Sequence, residues 1–174
     1  GGMAPPSFSA NNRYLTSSTS SGNSVQISHS TITDGISDIY GGWALSEASG
    51  NSVTLSDTNV TLGTSFYEVT YDGKTQQKSY LHSDKDTASR IIGGEASNGS
   101  ASGNSVTISG KGAELNDISY IIGGKAYLDE KKPAEKAEAL GNTVSISDVT
   151  ITGAEDGLTI IGADGQPDQQ NKSI

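Results

Sequence analysis

The stretch Gly103-Asn104-Ser105-Val106-Thr107-Ile108-Ser109 decides the fold, because the chain repeats it three more times. The other copies begin at Gly22, Gly50 and Gly141 and follow the pattern Gly-Asn-(Ser/Thr)-Val-x-(Ile/Leu)-Ser. After each Gly-Asn pair, apolar residues alternate strictly with polar ones, which is the period of a β-strand with one buried face. Glycine and asparagine both tolerate the left-handed backbone of a tight corner. Each copy therefore predicts a strand that is entered through a corner.

A second motif, two apolar residues followed by two small ones, alternates with the first. Its copies are Ile39-Tyr40-Gly41-Gly42, Ile91-Ile92-Gly93-Gly94, Ile121-Ile122-Gly123-Gly124 and Ile160-Ile161-Gly162-Ala163. Shorter apolar segments lie between the two motifs, at Ile32, Val60 and Leu62, Leu115, and Val149 and Ile151. Where nothing is inserted, the period is 28 to 30 residues, which is within the range of solenoid repeats. Each period predicts three short strands, and we expect an all-β solenoid of four to five coils.

Stacking of such coils explains why the corner residues do not vary. If successive coils pair in parallel, equivalent residues lie directly above one another and form ladders. The expected structural ladder consists of Asn23, Asn51, Asn104 and Asn142. The alternative is that Gly-Asn marks ordinary hairpin turns, but hairpin turns need not recur with one fixed strand pattern behind them.

Two insertions interrupt the repeat. The first covers about residues 63–90, where Ser65–Tyr71 and Gln77–Leu81 flank the turn pair Asp72-Gly73 and predict a β-hairpin. The second covers about residues 127–140 and is rich in Ala, Glu and Lys, so we expect a short helix over Pro133–Leu140. The predicted domains are a cap or linker over 1–19, the solenoid over 20–165 and a tail over 166–174.

Composition and charge restrict the partners. The net charge of −9 and the pI of about 4.5 argue against binding to nucleic acid or to an anionic membrane surface. No apolar run reaches the roughly 20 residues of a membrane-spanning helix, so we expect no membrane insertion. Without cysteine, a disulfide or a thiolate metal site is impossible. Gly1-Gly2 is typical of a cloning remnant, which predicts an excised fragment without its own secretion signal.

Catalytic chemistry is not visible in the repeats. A β-solenoid enzyme needs acids or bases that point outward from adjacent coils. The outward positions of the first strand are Ser24, Gln26 and Ser28; Ser52, Thr54 and Ser56; Ser105, Thr107 and Ser109; and Thr143, Ser145 and Ser147, none of which titrates near neutral pH. The place after this strand carries two acids two coils apart, in the series His29, Asp57, Gly110 and Asp148. That separation is roughly 10 Å, wide for a carboxylate pair.

We accordingly expect no catalytic residue, no metal and no cofactor. His29 and His82 are interpreted as surface residues, since neither has a clear nucleophile beside it in the sequence. A cation at Asp84 and Asp86 is the alternative for the first insertion, but no calcium-binding repeat surrounds them.

Candidate binding residues lie where the repeat varies. The predicted hairpin concentrates Phe66, Tyr67, Tyr71 and Tyr80, and a further aromatic residue, Trp43, follows the first Gly-Gly. Binding residues concentrate on loops held by rigid scaffolds, although these aromatic side chains could equally pack on the solenoid. The third strand carries the variable series Asp38, Arg90, Tyr120 and Thr159, which we expect to face solvent.

The two alternating motifs resemble the repeats of bacterial autotransporter passenger domains over roughly residues 20–165, outside the insertions. The resemblance implies a right-handed parallel β-helix displayed at the cell surface, outside the outer membrane. It also implies an adhesin-like, non-enzymatic passenger fragment that binds a host-cell or bacterial surface protein or a glycan. We expect a monomer. The alternatives are a carbohydrate-binding or polysaccharide-cleaving β-helix protein and a purely structural stalk segment.

Overall fold

A computed structural model describes residues 2–3, 17–33, 38–62, 66–71, 74–79, 89–128, 137–155 and 157–165 of the chain. The described part is all-β and contains no helix. Its strands are β1 (Gly2–Met3), β2 (Thr19–Ser21), β3 (Ser24–Ser28), β4 (Thr31–Ile32), β5 (Asp38–Ala44), β6 (Glu47–Ser49), β7 (Ser52–Ser56), β8 (Asn59–Thr61), β9 (Phe66–Tyr71), β10 (Lys74–Ser79), β11 (Arg90–Ala96), β12 (Ser100–Ser102), β13 (Ser105–Ile118), β14 (Tyr120–Ala126), β15 (Glu138–Leu140), β16 (Thr143–Gly153) and β17 (Thr159–Gly165).

All of these strands except β9 and β10 belong to three parallel sheets. Sheet 1 contains β2, β6, β12 and β15; sheet 2 contains β3, β4, β7, β8, β13 and β16; sheet 3 contains β1, β5, β11, β14 and β17. The described chain visits sheets 1, 2 and 3 in that order four times, and we call each passage a unit. Units 1 to 4 cover residues 19–44, 47–96, 100–126 and 138–165.

The sequence repeat is also the register of the sheets. In sheet 2, Val106 pairs with Val53 on one side and with Val144 on the other. In sheet 3, Ile91 lies between Ile39 and Ile121. Equivalent residues of successive units are therefore direct neighbours across the strands.

Sheet 2 bends at the place after the first motif. In units 1 and 2 two short strands meet there, whereas β13 and β16 run through the bend as long strands. The four residues at this place all have a positive φ: His29 (48°), Asp57 (48°), Gly110 (148°) and Asp148 (56°). A left-handed residue turns the strand direction, so this one position produces the bend in every unit.

The core lies between sheets 2 and 3 and consists of the apolar members of the alternating motifs. Its buried residues are Ile39, Val53, Leu55, Val60, Leu62, Ile91, Val106, Ile108, Leu115, Ile118 and Ile121. Equivalent residues of units 1 and 4, such as Val25 and Ile146, are only half-buried. Units 2 and 3 thus form the fully buried centre.

The four corner asparagines are joined by hydrogen bonds. The Nδ2 of Asn23 donates to Oδ1 of Asn51 (3.0 Å), that of Asn51 to Asn104 (3.0 Å) and that of Asn104 to Asn142 (2.9 Å). Each of the first three also donates its backbone N–H to the same oxygen, at 2.9 to 3.1 Å. We call this arrangement the asparagine row. Buried amides satisfied in this way fix the stacking of the units.

The first insertion contains the predicted hairpin. Strands β9 and β10 pair antiparallel on either side of Asp72-Gly73, with Tyr71 opposite Lys74. The second strand begins at Lys74, three residues earlier than expected. Arg90, placed at the end of the insertion by the sequence, belongs to β11.

The helix predicted over Pro133–Leu140 is wrong for its second half. Glu138–Leu140 is β15, which pairs in parallel with β12 so that Ala139 lies beside Ala101. The pairing with a buried neighbour strand outweighs the helical preference of Ala, Glu and Lys. Residues 133–136 lie outside the described residues.

Candidate binding face on sheet 3

The face of sheet 3 that points away from the core carries three aromatic residues, Tyr40, Trp43 and Tyr120, together with five charged residues. Along each strand Ile39, Ile91 or Ile121 enters the core, so its immediate neighbours lie on the opposite face. Register then aligns two rows across the strands. The first row is Asp38, Arg90, Tyr120 and Thr159, and the second is Trp43, Glu95, Lys125 and Asp164.

In the first row Arg90 forms a two-pronged ion pair with Asp38. Its Nε donates to Oδ1 at 2.9 Å and its Nη2 to Oδ2 at 3.2 Å. The guanidinium also lies 6.0 Å from the centre of the Tyr40 ring. The sequence predicted that this row faces solvent. That prediction is wrong for Arg90 and Asp38, because their side chains are only 14% and 13% exposed. Tyr120, by contrast, is 39% exposed.

The second row contains the least expected residue of the face, a buried carboxyl. Glu95 is 5% exposed, and its Oε2 has no hydrogen-bond partner among the described residues. Burial raises the pKa of this carboxyl, while Lys125, Arg90 and a hydrogen bond with Trp43 oppose the rise. A buried acid without full pairing favours its neutral form.

Aromatic groups surround this carboxyl. Trp43 is half-buried beside Glu95, and the Nζ of Lys125 lies 5.7 Å from the centre of the Tyr127 ring. Burial raises the pKa of Tyr40 and Tyr127, and Glu95 adds to the rise when its carboxyl is ionised. Both phenols are therefore neutral hydrogen-bonding groups over the ordinary pH range.

Sequence reasoning selected Trp43 but missed Glu95. The position after the small pair is Trp, Glu, Lys and Asp in the four units, so its residue type shows no period. Its burial cannot be inferred from a pattern that the residue does not share. The only signal is its register position beside Trp43.

We predict that Glu95→Gln changes the pH dependence of stability. Because the folded state holds the Glu95 proton more tightly than the unfolded state, this group stabilises the fold most below its ordinary pKa of 4.5. The contribution falls as pH rises through that value and stays low above the raised folded pKa. Urea unfolding from pH 4 to pH 8 should show the variant gaining stability relative to the wild type as pH rises.

Glu47→Gln is the matched control, since Glu47 is an exposed carboxyl on sheet 1. Its unfolding midpoint should follow that of the wild type at every pH. Parallel pH profiles for Glu95→Gln and the wild type would contradict the assignment of the buried acid.

The other described residues that were predicted to bind a partner do not belong to sheet 3. Phe66, Tyr67 and Tyr71 belong to β9, which pairs with β10 and not with the three parallel sheets. Tyr80 lies outside the described residues. The described residues among those predicted to bind a partner are thus divided between the hairpin and, for Trp43, sheet 3.

Sheet 2 presents the expected hydroxyl face, and at its bend an imidazole lies close to a carboxyl group. The Nε2 of His29 lies 3.6 Å from Oδ2 of Asp57 in the neighbouring unit, and both side chains are more than half exposed. The strand β13 separates Asp57 from Asp148. Within the described ranges no group of three or more His, Asp or Glu side chains could hold a metal ion. His82, Asp84 and Asp86 lie outside those ranges.

An open polar cleft on sheet 1 was not anticipated. It has a volume of about 530 Å³, and its lining residues are Thr19, Ser46, Glu47, Asn98, Gly99, Ser100 and Glu138. Its lining contains two carboxyl groups, three hydroxyl groups and one amide but no aromatic side chain. This composition suits a polar ligand better than an apolar one.

Comparison with models of protein families, with curated sequences and with solved structures finds no match to the chain. In the part of the chain with assigned structure, no helix has the length and apolar character needed to cross a bilayer.

Proposed function

We propose that this chain is a rigid right-handed parallel β-helix, a non-enzymatic passenger fragment of a surface-displayed adhesin. The observation that carries the proposal is the repeated passage of four units through three parallel sheets, with a continuous apolar core between sheets 2 and 3. Such an arrangement supplies a long, stiff support from which insertions can project. The hydroxyl face of sheet 2 adds solubility and no groups for acid-base catalysis.

The hairpin is the proposed contact with a host-cell or bacterial surface. In the described part of the chain it is the largest element that departs from the repeat, and three residues of β9 are aromatic. Aromatic residues on projecting elements are typical of binding hot spots. Its attachment between Leu62 and Ser89 leaves the pairing of the units unchanged.

The proposal predicts that removal of residues 63–88 abolishes attachment to cells. In unit 3 the residues beside Thr61 and Ser89 are Asn116 and Ser119. Only two residues, Asp117 and Ile118, connect them. A two-residue Gly-Ser linker is therefore long enough. We expect at least a tenfold loss of binding to epithelial or bacterial cells, measured by flow cytometry with the labelled protein.

The control is an unchanged urea midpoint of the shortened chain, which shows that the sheets still form. A folded, shortened chain that attaches as well as the wild type would exclude the hairpin as the contact. A wild-type chain that attaches to no cell type would favour the structural stalk.

A carbohydrate-binding β-helix is the second candidate, favoured by one observation. Aromatic and carboxyl groups of neighbouring strands meet on sheet 3, where Trp43 lies beside Glu95. Sugar-binding sites combine such groups. A glycan array with the wild type and Trp43→Ala tests this candidate, and signals lost in the variant but not after hairpin removal would support it.

A further inference from the structure

The second small residue of each apolar-pair motif faces the asparagine of the following unit. A Cβ placed on Gly42 would lie 2.5 Å from Cγ of Asn51. A Cβ on Gly94 or Gly124 would approach the amide of Asn104 or Asn142 more closely still. Glycine is required at this place because the asparagine row passes directly over it.

Unit 4 departs from this rule. Its residue at the same register position is Ala163, which pairs with Gly124 and is exposed. By the geometry of units 1 to 3, the methyl group of Ala163 fills the space that the asparagine of a following unit would need. Alanine is tolerated in unit 4 because no described residue occupies that space.

The same end of the molecule otherwise favours a further unit. Among the described residues the backbone N–H of Asn142 has no acceptor, whereas those of Asn51 and Asn104 bond to the next asparagine. Leu140, Leu158 and Ile160 are 60%, 36% and 47% exposed here. Open strand edges with apolar residues attract further strands, and natural proteins block them.

We propose that Ala163 is a stop residue, which prevents any further Gly-Asn unit, including the first unit of a second copy of this chain, from stacking on unit 4. The block is steric and selective. It excludes any added unit that carries asparagine at the position of the asparagine row. The backbone groups at the open edges of β15, β16 and β17 stay available for hydrogen bonds.

The test lengthens the full chain by one unit, which is placed after Gly165 and before residues 166–174. Residues 97–126 are appended directly after Gly165, because Gly165 is equivalent to Ala96, which precedes residue 97 in the native chain. The extended chain is made with Ala163 and with Ala163→Gly. Hydrogen exchange measured by mass spectrometry then reports whether the appended copy of the strand Ser105–Ser109 is formed.

With Ala163→Gly, we expect exchange in the appended strand to be at least tenfold slower than with Ala163. A third version keeps Ala163 and carries Asn104→Gly in the appended copy, which removes the side chain that would collide. Hydrogen exchange in its appended strand should be at least threefold slower than in the chain that has both Ala163 and the appended asparagine. Equal exchange in the Ala163 and Ala163→Gly chains, whether both fast or both slow, would overturn the proposal.

Discussion

Replacing Asn104 with alanine is expected to lower the free energy of unfolding by about 3 to 5 kcal/mol. Asn104 is fully buried, and its side chain makes four hydrogen bonds. Its Nδ2 donates to Oδ1 of Asn142 (2.9 Å) and to the carbonyl of Ala48 (2.8 Å), and its Oδ1 accepts from the backbone N–H (2.9 Å) and Nδ2 (3.0 Å) of Asn51. The substitution leaves the Ala48 carbonyl and the Asn51 N–H buried without these partners, and each such group costs about 1 to 3 kcal/mol.

Asn23→Ala is the control for this prediction. Asn23 is half-buried at the first end of the row, and its side-chain oxygen accepts no hydrogen bond from a described residue. Its removal should lower stability by only about 1 kcal/mol. Urea unfolding followed by circular dichroism measures both values. Equal losses would mean that the buried centre of the row contributes no more than its end.

Gly93→Ala should be at least as damaging, with a loss of about 4 kcal/mol or more, because an overpacked site that cannot relax is among the strongly destabilising changes. A Cβ on Gly93 would meet the carbonyl oxygen of Gly123 and lie 2.6 Å from the carbonyl oxygen and 2.8 Å from the nitrogen of Ser105. These are backbone atoms of two strands in the next unit. They cannot move without opening the sheets.

Gly162→Ala is the control that separates the steric clash at Gly93 from the general effect of replacing a glycine with alanine. Gly162 holds the same position in unit 4, where a Cβ would meet one atom of the described residues within 4 Å, the carbonyl oxygen of Asn142 at 3.2 Å. We expect a change within about 1 kcal/mol, because this one neighbouring atom needs to move by only a few tenths of an ångström. A large loss at Gly162, or a small one at Gly93, would contradict the explanation by close approach of the units.

The strands with the first motif could be predicted because their pattern has one period and one buried face. Val53, Val106 and Val144 recur at a fixed distance from a Gly-Asn pair, and their register follows from that repetition. The positive φ at Asp57 and Asp148 belongs to the same place in the repeat. Local pattern and long-range pairing agree at these residues, which is why sequence alone identifies them.

Sheet 1 was missed because its strands have three residues and a small central side chain. Ser20, Ala48, Ala101 and Ala139 occupy the centres, and all but Ala139 are buried. Short segments of this kind lack the apolar β-branched residues by which strands are recognised. A usable signal exists, since each of these small residues lies two positions before the glycine of a Gly-Asn pair.

The binding face on sheet 3 could be predicted only in part. Register alone brings Asp38 to Arg90 and Trp43 to Glu95, and register follows from the repeat. The burial of Glu95 does not follow, because it depends on what packs over the outer face and not on the strand itself. Charged residues are therefore the least predictable members of an otherwise regular sheet.

The asparagine row also has a polarity. Every row bond has its donor in the earlier unit and its acceptor in the later one, from Asn23 through to Asn142. The amide dipoles therefore point the same way and add, as peptide dipoles do in an α-helix. The Asn23 end carries a partial negative charge and the Asn142 end a partial positive one, so the two ends of the stack differ electrically as well as in shape. Two copies meeting by identical ends would oppose these dipoles, which disfavours symmetric end-to-end pairing.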